Sequence, residues 1–224
     1  EPALTVAHHV GPTGRVVATD QSSQMLAVAR SRAATRGLKN LEFVETDAET
    51  LNFPEGSLDA VTCRFGLMFL PDLSGTLQRI RRSLRPDGWF ATAIWDVPPN
   101  VPMISLAMGV ALKMFDVPPP PPGVPNLFAL SQPGVLEKAF TAAGFTNLNA
   151  EMTHVEVEFR SGEEYTDFIL EVAPPITTVV SRQPLERQQE FRAALSEAAQ
   201  QYAIEGGRIR MVNSAICVAG QRGA

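Results

Sequence analysis

With 224 residues, 45% of them hydrophobic and 19% charged, the chain has the length of one domain, or of one domain with a sizeable insertion, and the composition to bury a core. That argues against a disordered tail, a coiled coil and a membrane protein, since no apolar run nears the roughly 20 residues a bilayer helix needs; no charged-then-apolar leader opens the chain, so export is not expected. Nineteen Lys and Arg against 24 Asp and Glu give a net charge of −5, which argues against nucleic acid as the main partner; the two cysteines, Cys63 and Cys217, make neither a disulfide framework nor a zinc site unaided, and a cytoplasmic setting is the expectation.

Residues 2–10 put Ala3, Val6, Ala7 and Val10 on one helical stripe, with Pro2 at the favoured first helical position, and Gly11-Pro12-Thr13-Gly14 stops the helix. The short apolar run VVATD (16–20) reads as a strand closed by an acid. A helix over about 21–36 sets Met25, Leu26, Ala29 and Ala33 on one face and ends at Gly37. LEFVETD (41–47) and LDAVTCRF (58–65) read as two further strands. A helix near 74–85 follows, then the turn Arg85-Pro86-Asp87-Gly88 and the apolar strand WFATAIW (89–95). Strands alternating with helices, and apolar enough to be covered on both faces, predict a parallel α/β sheet.

The segment 97–132 changes character. It is proline-rich, with the run Pro118 to Pro122, around an apolar helix at about 102–115 that carries Met103, Ile104, Leu106, Met108, Leu112, Met114 and Phe115. A proline run is stiff, extended and unable to join a ladder, so the segment reads as an insertion with a rigid spacer rather than a partner-binding motif. The regular pattern resumes with a helix at 133–143, a long strand around 148–160, helices at 162–172 and about 184–203, and a last strand at 209–220. The whole chain, 1–224, is thus expected to be one domain carrying an insertion at about 97–132.

Ligands of open parallel sheets sit beyond the carboxyl ends of the strands. Asp20, Asp47 and Arg64-Phe65-Gly66 occupy those ends here. An acid closing such a strand can accept hydrogen bonds from both hydroxyls of a ribose, or it can cap the helix that follows, and Asp20 directly precedes one. Repetition of the acid at successive strand ends favours a nucleoside-bearing ligand.

The ordered pieces VVATD, LEFVETDAETLNFPEGSLDAV, CRFGLMFLPD, LRPDGWFATAIW and KAFTAAGFTNL resemble the class I methyltransferases that use S-adenosylmethionine, in the branch of the ubiquinone and menaquinone biosynthesis C-methyltransferases. The resemblance covers about 1–96 and 133–148. It implies a Rossmann-like, mostly parallel sheet with helices on both faces and an antiparallel last strand. It also implies that Asp20 binds the ribose hydroxyls, that Gln21 and Met25 lie beside the nucleoside, that Asp47 accepts from the adenine amino group, and that the Ala48 amide meets the ring. Arg64 and Phe65 would line the methionine side, and Phe69 would shape the way in for the substrate; for Met25 and Phe69, plain core packing is the competing reading. The product would be S-adenosylhomocysteine, and the partner a small, apolar methyl acceptor chosen by the 97–132 segment and the late helices.

The family's first strand and its glycine-rich turn are not found in this sequence, in which Glu1 falls where that turn should just have ended and Pro2 opens the helix that normally follows. In the family's order that strand is central, so its neighbours would be left unpaired on one side, and impaired cofactor binding by the chain as it stands is expected. Asp96, past the fifth strand of that order, and His154 are candidate general bases, although methyl transfer needs no dedicated one. Adjacent histidines on a helix diverge, so His8-His9 is not read as a metal site, and the cluster Arg79, Arg81, Arg82 and Arg85 reads as a solvated helix face. Two other functions stay open at this stage: a nicotinamide-dependent oxidoreductase, which would share Asp20, and a non-catalytic protein that self-associates as a homo-oligomer through unpaired strand edges.

Overall fold

The computed structural model describes residues 2–115 and 124–223; the run Pro118–Pro122, and the spacer read into it, lie outside those residues. The elements in chain order are α1 (Ala3–Val10), β1 (Val16–Asp20), α2 (Ser23–Thr35), β2 (Leu41–Glu45), β3 (Leu58–Arg64), α3 (Leu73–Ser83), β4 (Leu84–Trp95), α4 (Pro102–Met114), α5 (Val135–Ala142), β5 (Phe145–Phe159), α6 (Gly162–Val172), α7 (Pro174–Ser181), α8 (Leu185–Ala199) and β6 (Ile209–Arg222). The alternation is the one the sequence predicts, a Rossmann-like α/β arrangement. No helix among the described residues is long and apolar enough to cross a membrane.

Three local readings change. Pro2 takes the N-cap of α1, one residue ahead of the expected place. The turn Arg85–Gly88 does not precede a strand but bulges out of one. Leu58 faces Leu84 and the next pair is Ala60 with Trp89, so residues 85–88 stand opposite Asp59 alone. Asp87 adopts φ 63° there, and a Cβ on Gly88 would lie 3.0 Å from the Asp59 carbonyl oxygen, so the bulge needs its glycine. Helix α7 was not anticipated because PPITTVVS is rich in β-branched residues of modest helix propensity. Tertiary burial of Ile176 and Val180, one turn apart, decides it, with Pro174 at the helix start.

The strands fall into two sheets, β1-β2 and β3-β4-β6-β5. β1 pairs with β2 in parallel, from Val16 opposite Leu41 to Asp20 opposite Glu45. β3 pairs with β4 in parallel, ending with Arg64 opposite Ala93. Among the described residues, β1 and β3 each have a ladder partner on one side only and are not partners of one another.

The chain forms two compact units. The first comprises Glu1–Ile94, Pro125–Glu151 and Cys217–Ala224. Its core includes the rings of Phe90 and Phe140, stacked 5.2 Å apart, and Phe145, 5.1 Å from Phe140. The Arg222 guanidinium donates to the carbonyls of Arg82 and Leu84 and pairs with Glu55 at 3.1 Å, binding the last strand to the end of α3.

The second unit comprises Trp95–Val124 and Met152–Ile216. Here α4, α6, α7 and α8 bury Tyr165, Ile169, Phe191 and Leu195. The start of α4 is held through both backbone groups of Met103: its N–H donates to Asn213 Oδ1 at 2.9 Å, and its carbonyl accepts from the Tyr165 hydroxyl at 2.9 Å. The Asn213 amide nitrogen also donates to the carbonyls of Val155 and Met211. Asn213 and Tyr165 are fully buried, and burial pushes the Tyr165 phenol well above its ordinary pKa. Removing such a side chain strands buried donors and acceptors, at about 1–3 kcal/mol for each group left unsatisfied. Asn213→Ala should therefore lower the urea midpoint by an amount equivalent to at least about 1 kcal/mol, and amide exchange at Met103 should accelerate in the variant.

Candidate functional site

Parallel pairing delivers the carboxyl ends of β1 and β2 side by side, and the ends of β1, β2 and β3 all contribute to one crevice of about 610 Å³. That volume is in the range of small-molecule sites. Asp20, Gln21, Asp47, Ala48, Arg64, Phe65 and Phe69 all line it, so most of the residues picked out in the sequence come together. Met25 does not join them. It stands 61% exposed on α2, where its backbone N–H donates to the Ser22 hydroxyl that caps the helix.

The two acids are built alike. Oδ1 of Asp20 accepts the N–H of Ser22 at 2.8 Å, and Oδ1 of Asp47 accepts the N–H of Glu49 at 2.8 Å. Each carboxylate thus spends one oxygen on the turn two residues ahead, and its Oδ2 has no hydrogen bond among the described residues. The N-cap of α2 is Ser22, not Asp20, so the capping alternative for Asp20 is met by its neighbour.

The third strand end is held tightly and under strain. Arg64 is the last residue paired with β4, and the Phe65 N–H donates to the Ala93 carbonyl at 2.8 Å. The buried Thr92 hydroxyl donates to the Cys63 carbonyl at 2.8 Å. Within this frame Phe65 adopts φ 56°, a left-handed backbone that costs a non-glycine residue about 1 kcal/mol or more. A Cβ on Gly66 would meet Cys63 Sγ at 2.8 Å, so a side chain there would force the Cys63 side chain to shift. A 3-10 turn, Leu67–Phe69, then buries Leu67 and Met68 and leaves Phe69 half-exposed at the crevice.

Sequence reasoning missed Glu49, Thr76 and Arg79 in the crevice wall. Arg79 belongs to the cluster expected to be solvated, yet its Nη2 donates to the Thr76 hydroxyl at 2.7 Å and its Nε is buried with no partner among the described residues. Arg82 and Arg85 are exposed as expected and make surface contacts with Asn52 and Asp59, while Arg81 donates to the Gly144 carbonyl. Helical spacing alone cannot separate a solvated arginine from one that folds back onto its own domain.

The candidate bases belong to the second unit. Asp96 is buried, with Oδ1 accepting the Val97 N–H and Oδ2 the Asn100 amide, both at 2.7 Å. Exposed His154 has Nδ1 3.3 Å from the Ser214 hydroxyl, and the Ser214 carbonyl accepts the Asp96 N–H. His9 Nδ1 hydrogen-bonds to the Thr5 carbonyl of its own helix.

A parallel α/β unit with acids at the ends of successive strands is the frame of a nucleotide-cofactor domain. Residues 2–92 match the family described as a methyltransferase domain. The chain is 39% identical over 102 residues to the ubiquinone/menaquinone biosynthesis C-methyltransferase UbiE of Hahella chejuensis, a match covering 45% of this chain and 41% of that protein. The chain therefore matches only about two fifths of the length of that curated relative. Among solved structures, YcgJ of Bacillus subtilis superposes with a TM-score of 0.57 at 18% identity, over 94% of this chain and 83% of that one. Phosphoethanolamine N-methyltransferase 2 of Haemonchus contortus, solved with phosphomonomethylethanolamine and S-adenosylhomocysteine, does so with a TM-score of 0.52 at 18% identity, over 94% of this chain and 44% of that one. At such identities these two establish the shared fold.

Cys63, in the crevice wall, offers a handle on this geometry. Burial pushes its thiol above the ordinary value, and hydrogen bonds from the backbone of Gly66 and Leu67 and from Thr92 offset this only in part. The thiolate is the reactive form. Cys63 should thus react with iodoacetamide at pH 8 at least about tenfold more slowly in the folded protein than in denaturant, a ratio read by peptide mass spectrometry.

Proposed function

We propose that the crevice binds S-adenosylmethionine and that the protein transfers its methyl group to a small apolar acceptor with a nucleophilic ring carbon, as in the quinone-forming reactions for which its curated relative is named. The observation that carries this reading is the repeated carboxylate: Asp20 and Asp47, on neighbouring parallel strand ends of one crevice, each keep an acceptor oxygen free. A ligand with hydroxyls at one point and an amino group at another satisfies both, and adenosine is such a ligand.

The residues present fit that group. Asp20 would hold the ribose hydroxyls through charge-assisted hydrogen bonds, with Gln21 beside the nucleoside. Asp47 would accept from the adenine amino group, and the exposed Ala48 next to it would present its N–H to the ring. Arg64 and Phe65 would face the methionine portion, and Phe69 would border the acceptor. When bound, S-adenosylmethionine supplies a methyl group on a positively charged sulfur. The protein's task is to align the acceptor carbon with that methyl, to keep water out, and to let the proton on the acceptor carbon leave to solvent or a base. Positioning of this kind accounts for a large part of such rate enhancements. Asp96, with both carboxylate oxygens already accepting, fits a turn-holding role.

Ligand-dependent thermal shift tests the reading. S-adenosylhomocysteine should raise the melting temperature in a concentration-dependent way while NAD does not, and Asp20→Asn should weaken the effect by at least about tenfold in ligand concentration, the loss of a charged acceptor being worth about 1.5–3 kcal/mol. Because binding is expected to be weak, the shift is read at millimolar ligand: equal shifts with NAD would point instead to an oxidoreductase, and no shift with either at that concentration would sink the nucleoside reading.

A further inference from the structure

We infer that Glu49 is a positioning residue of the crevice: it ties the turn that carries Asp47 and Ala48 to the start of α3, and so sets the distance between two of the crevice walls. The inference rests on the nucleoside reading for its ligand, and on geometry for its mechanism.

Glu49 follows the acid-bearing turn at a point where the chain has left β2 and has not begun β3, a stretch without ladder hydrogen bonds of its own. Two bonds define the turn, from the Glu49 N–H to Asp47 Oδ1 at 2.8 Å and from the Thr50 N–H to the Asp47 carbonyl at 3.1 Å. Both are local, as are the bonds of the Thr46 and Thr50 hydroxyls to the Asp47 carbonyl; the Thr46 N–H holds the turn to β1 through the Asp20 carbonyl at 3.1 Å, and Asn52 beyond it accepts from Arg82 at 3.3 Å. The anchoring bond is remote. Oε1 of Glu49 accepts the backbone N–H of Asp72, 23 residues on, at 2.8 Å. Asp72 is the N-cap of α3: its own Oδ1 accepts the Gly75 N–H at 2.8 Å, and its Oδ2 lies 3.7 Å from Arg79. The Arg79 charge offsets the approach of two carboxylates, which would otherwise repel. Glu49, Thr76 and Arg79 line the crevice together with Asp47. One side chain thus locks the turn holding the ring-binding acid onto a capped, charge-balanced helix end. A site whose polar groups are fixed before the ligand arrives loses less on binding than one that must be ordered.

Glu49 acts here as a hydrogen-bond acceptor, so its amide should replace it. The test is NMR titration with adenosine and with S-adenosylhomocysteine, which reads affinities into the millimolar range, on wild type, Glu49→Ala and Glu49→Gln. Glu49→Ala should weaken both ligands by the same factor, about three- to tenfold, accelerate amide exchange at Asp72 in the free protein, and leave the melting temperature within about 2 °C. Glu49→Gln should restore affinity to within about twofold. Wild type that binds neither ligand overturns the nucleoside reading and this role with it. Wild type that binds, with Glu49→Ala binding equally well or Glu49→Gln as weak as Glu49→Ala, overturns the positioning role alone.

Discussion

The parallel register of β1 with β2 is the constraint on which the site depends. Because Asp20 stands opposite Glu45, the chain leaves both strands at the same level, and Asp47 arrives at the crevice two residues later. A slip of one residue would turn every side chain of one strand to the other face and break the pairing of acids. Val16–Ala18 and Phe43–Val44, all half-buried, are the apolar residues that hold the register, backed by Leu26 and Ala33 of α2. The chemistry at the strand ends is therefore inherited from packing several residues upstream.

The opposite wall is organised by different physics. At β3 the chain is bonded to β4 through its last residue, and the next one, Phe65, is forced into a left-handed conformation that an aromatic side chain disfavours. Such strain persists only where surroundings over-determine it. Here they do, through the Phe65 N–H bonded to Ala93, Thr92 bonded to the Cys63 carbonyl, and Gly66 pressed against the Cys63 sulfur. One wall is thus set by relaxed parallel pairing and the other by a strained exit from a strand. β1 and β3 have no ladder bonds to each other, so the hydrogen bond from Asp72 to Glu49 is a direct polar link from the post-β2 turn to α3.

What could be read from the sequence follows from what repeats along it. The strand VVATD and the helix at 162–172 are found with the bounds expected of them, because short apolar runs and helical stripes carry their own period. The acids were legible because an acid after an apolar run is a local pattern. Helix α7 was not, since its residues prefer extended structure and only their burial makes them helical. Nor was the strain at Phe65, because no residue pattern announces a positive φ at an aromatic. Glu49 and Arg79 were hidden for a third reason. Their roles are set by partners 23 residues away in one case and by folding back onto the crevice in the other, and a charged residue in a polar stretch gives no sign of either.

The distribution of hydrogen bonds also separates groups that hold the protein together from groups left free to bind. Asp96 has each carboxylate oxygen accepting from the turn that follows it, and Asn213 has its amide oxygen and nitrogen bonded to backbone groups, so both are committed to holding structure. Asp20 and Asp47 each have one oxygen with no hydrogen bond among the described residues, and both line the crevice at the strand ends. In the proposed reading, a carboxylate oxygen without a protein donor would exchange water for a ligand hydroxyl or amine at little net cost, provided the ligand presents both donors at once. Under that reading the condition, two donors at a spacing fixed by adjacent strands, would favour a rigid bifunctional ligand over two separate ones. It is the sense in which the backbone ladder, more than any single side chain, sets what the crevice can recognise.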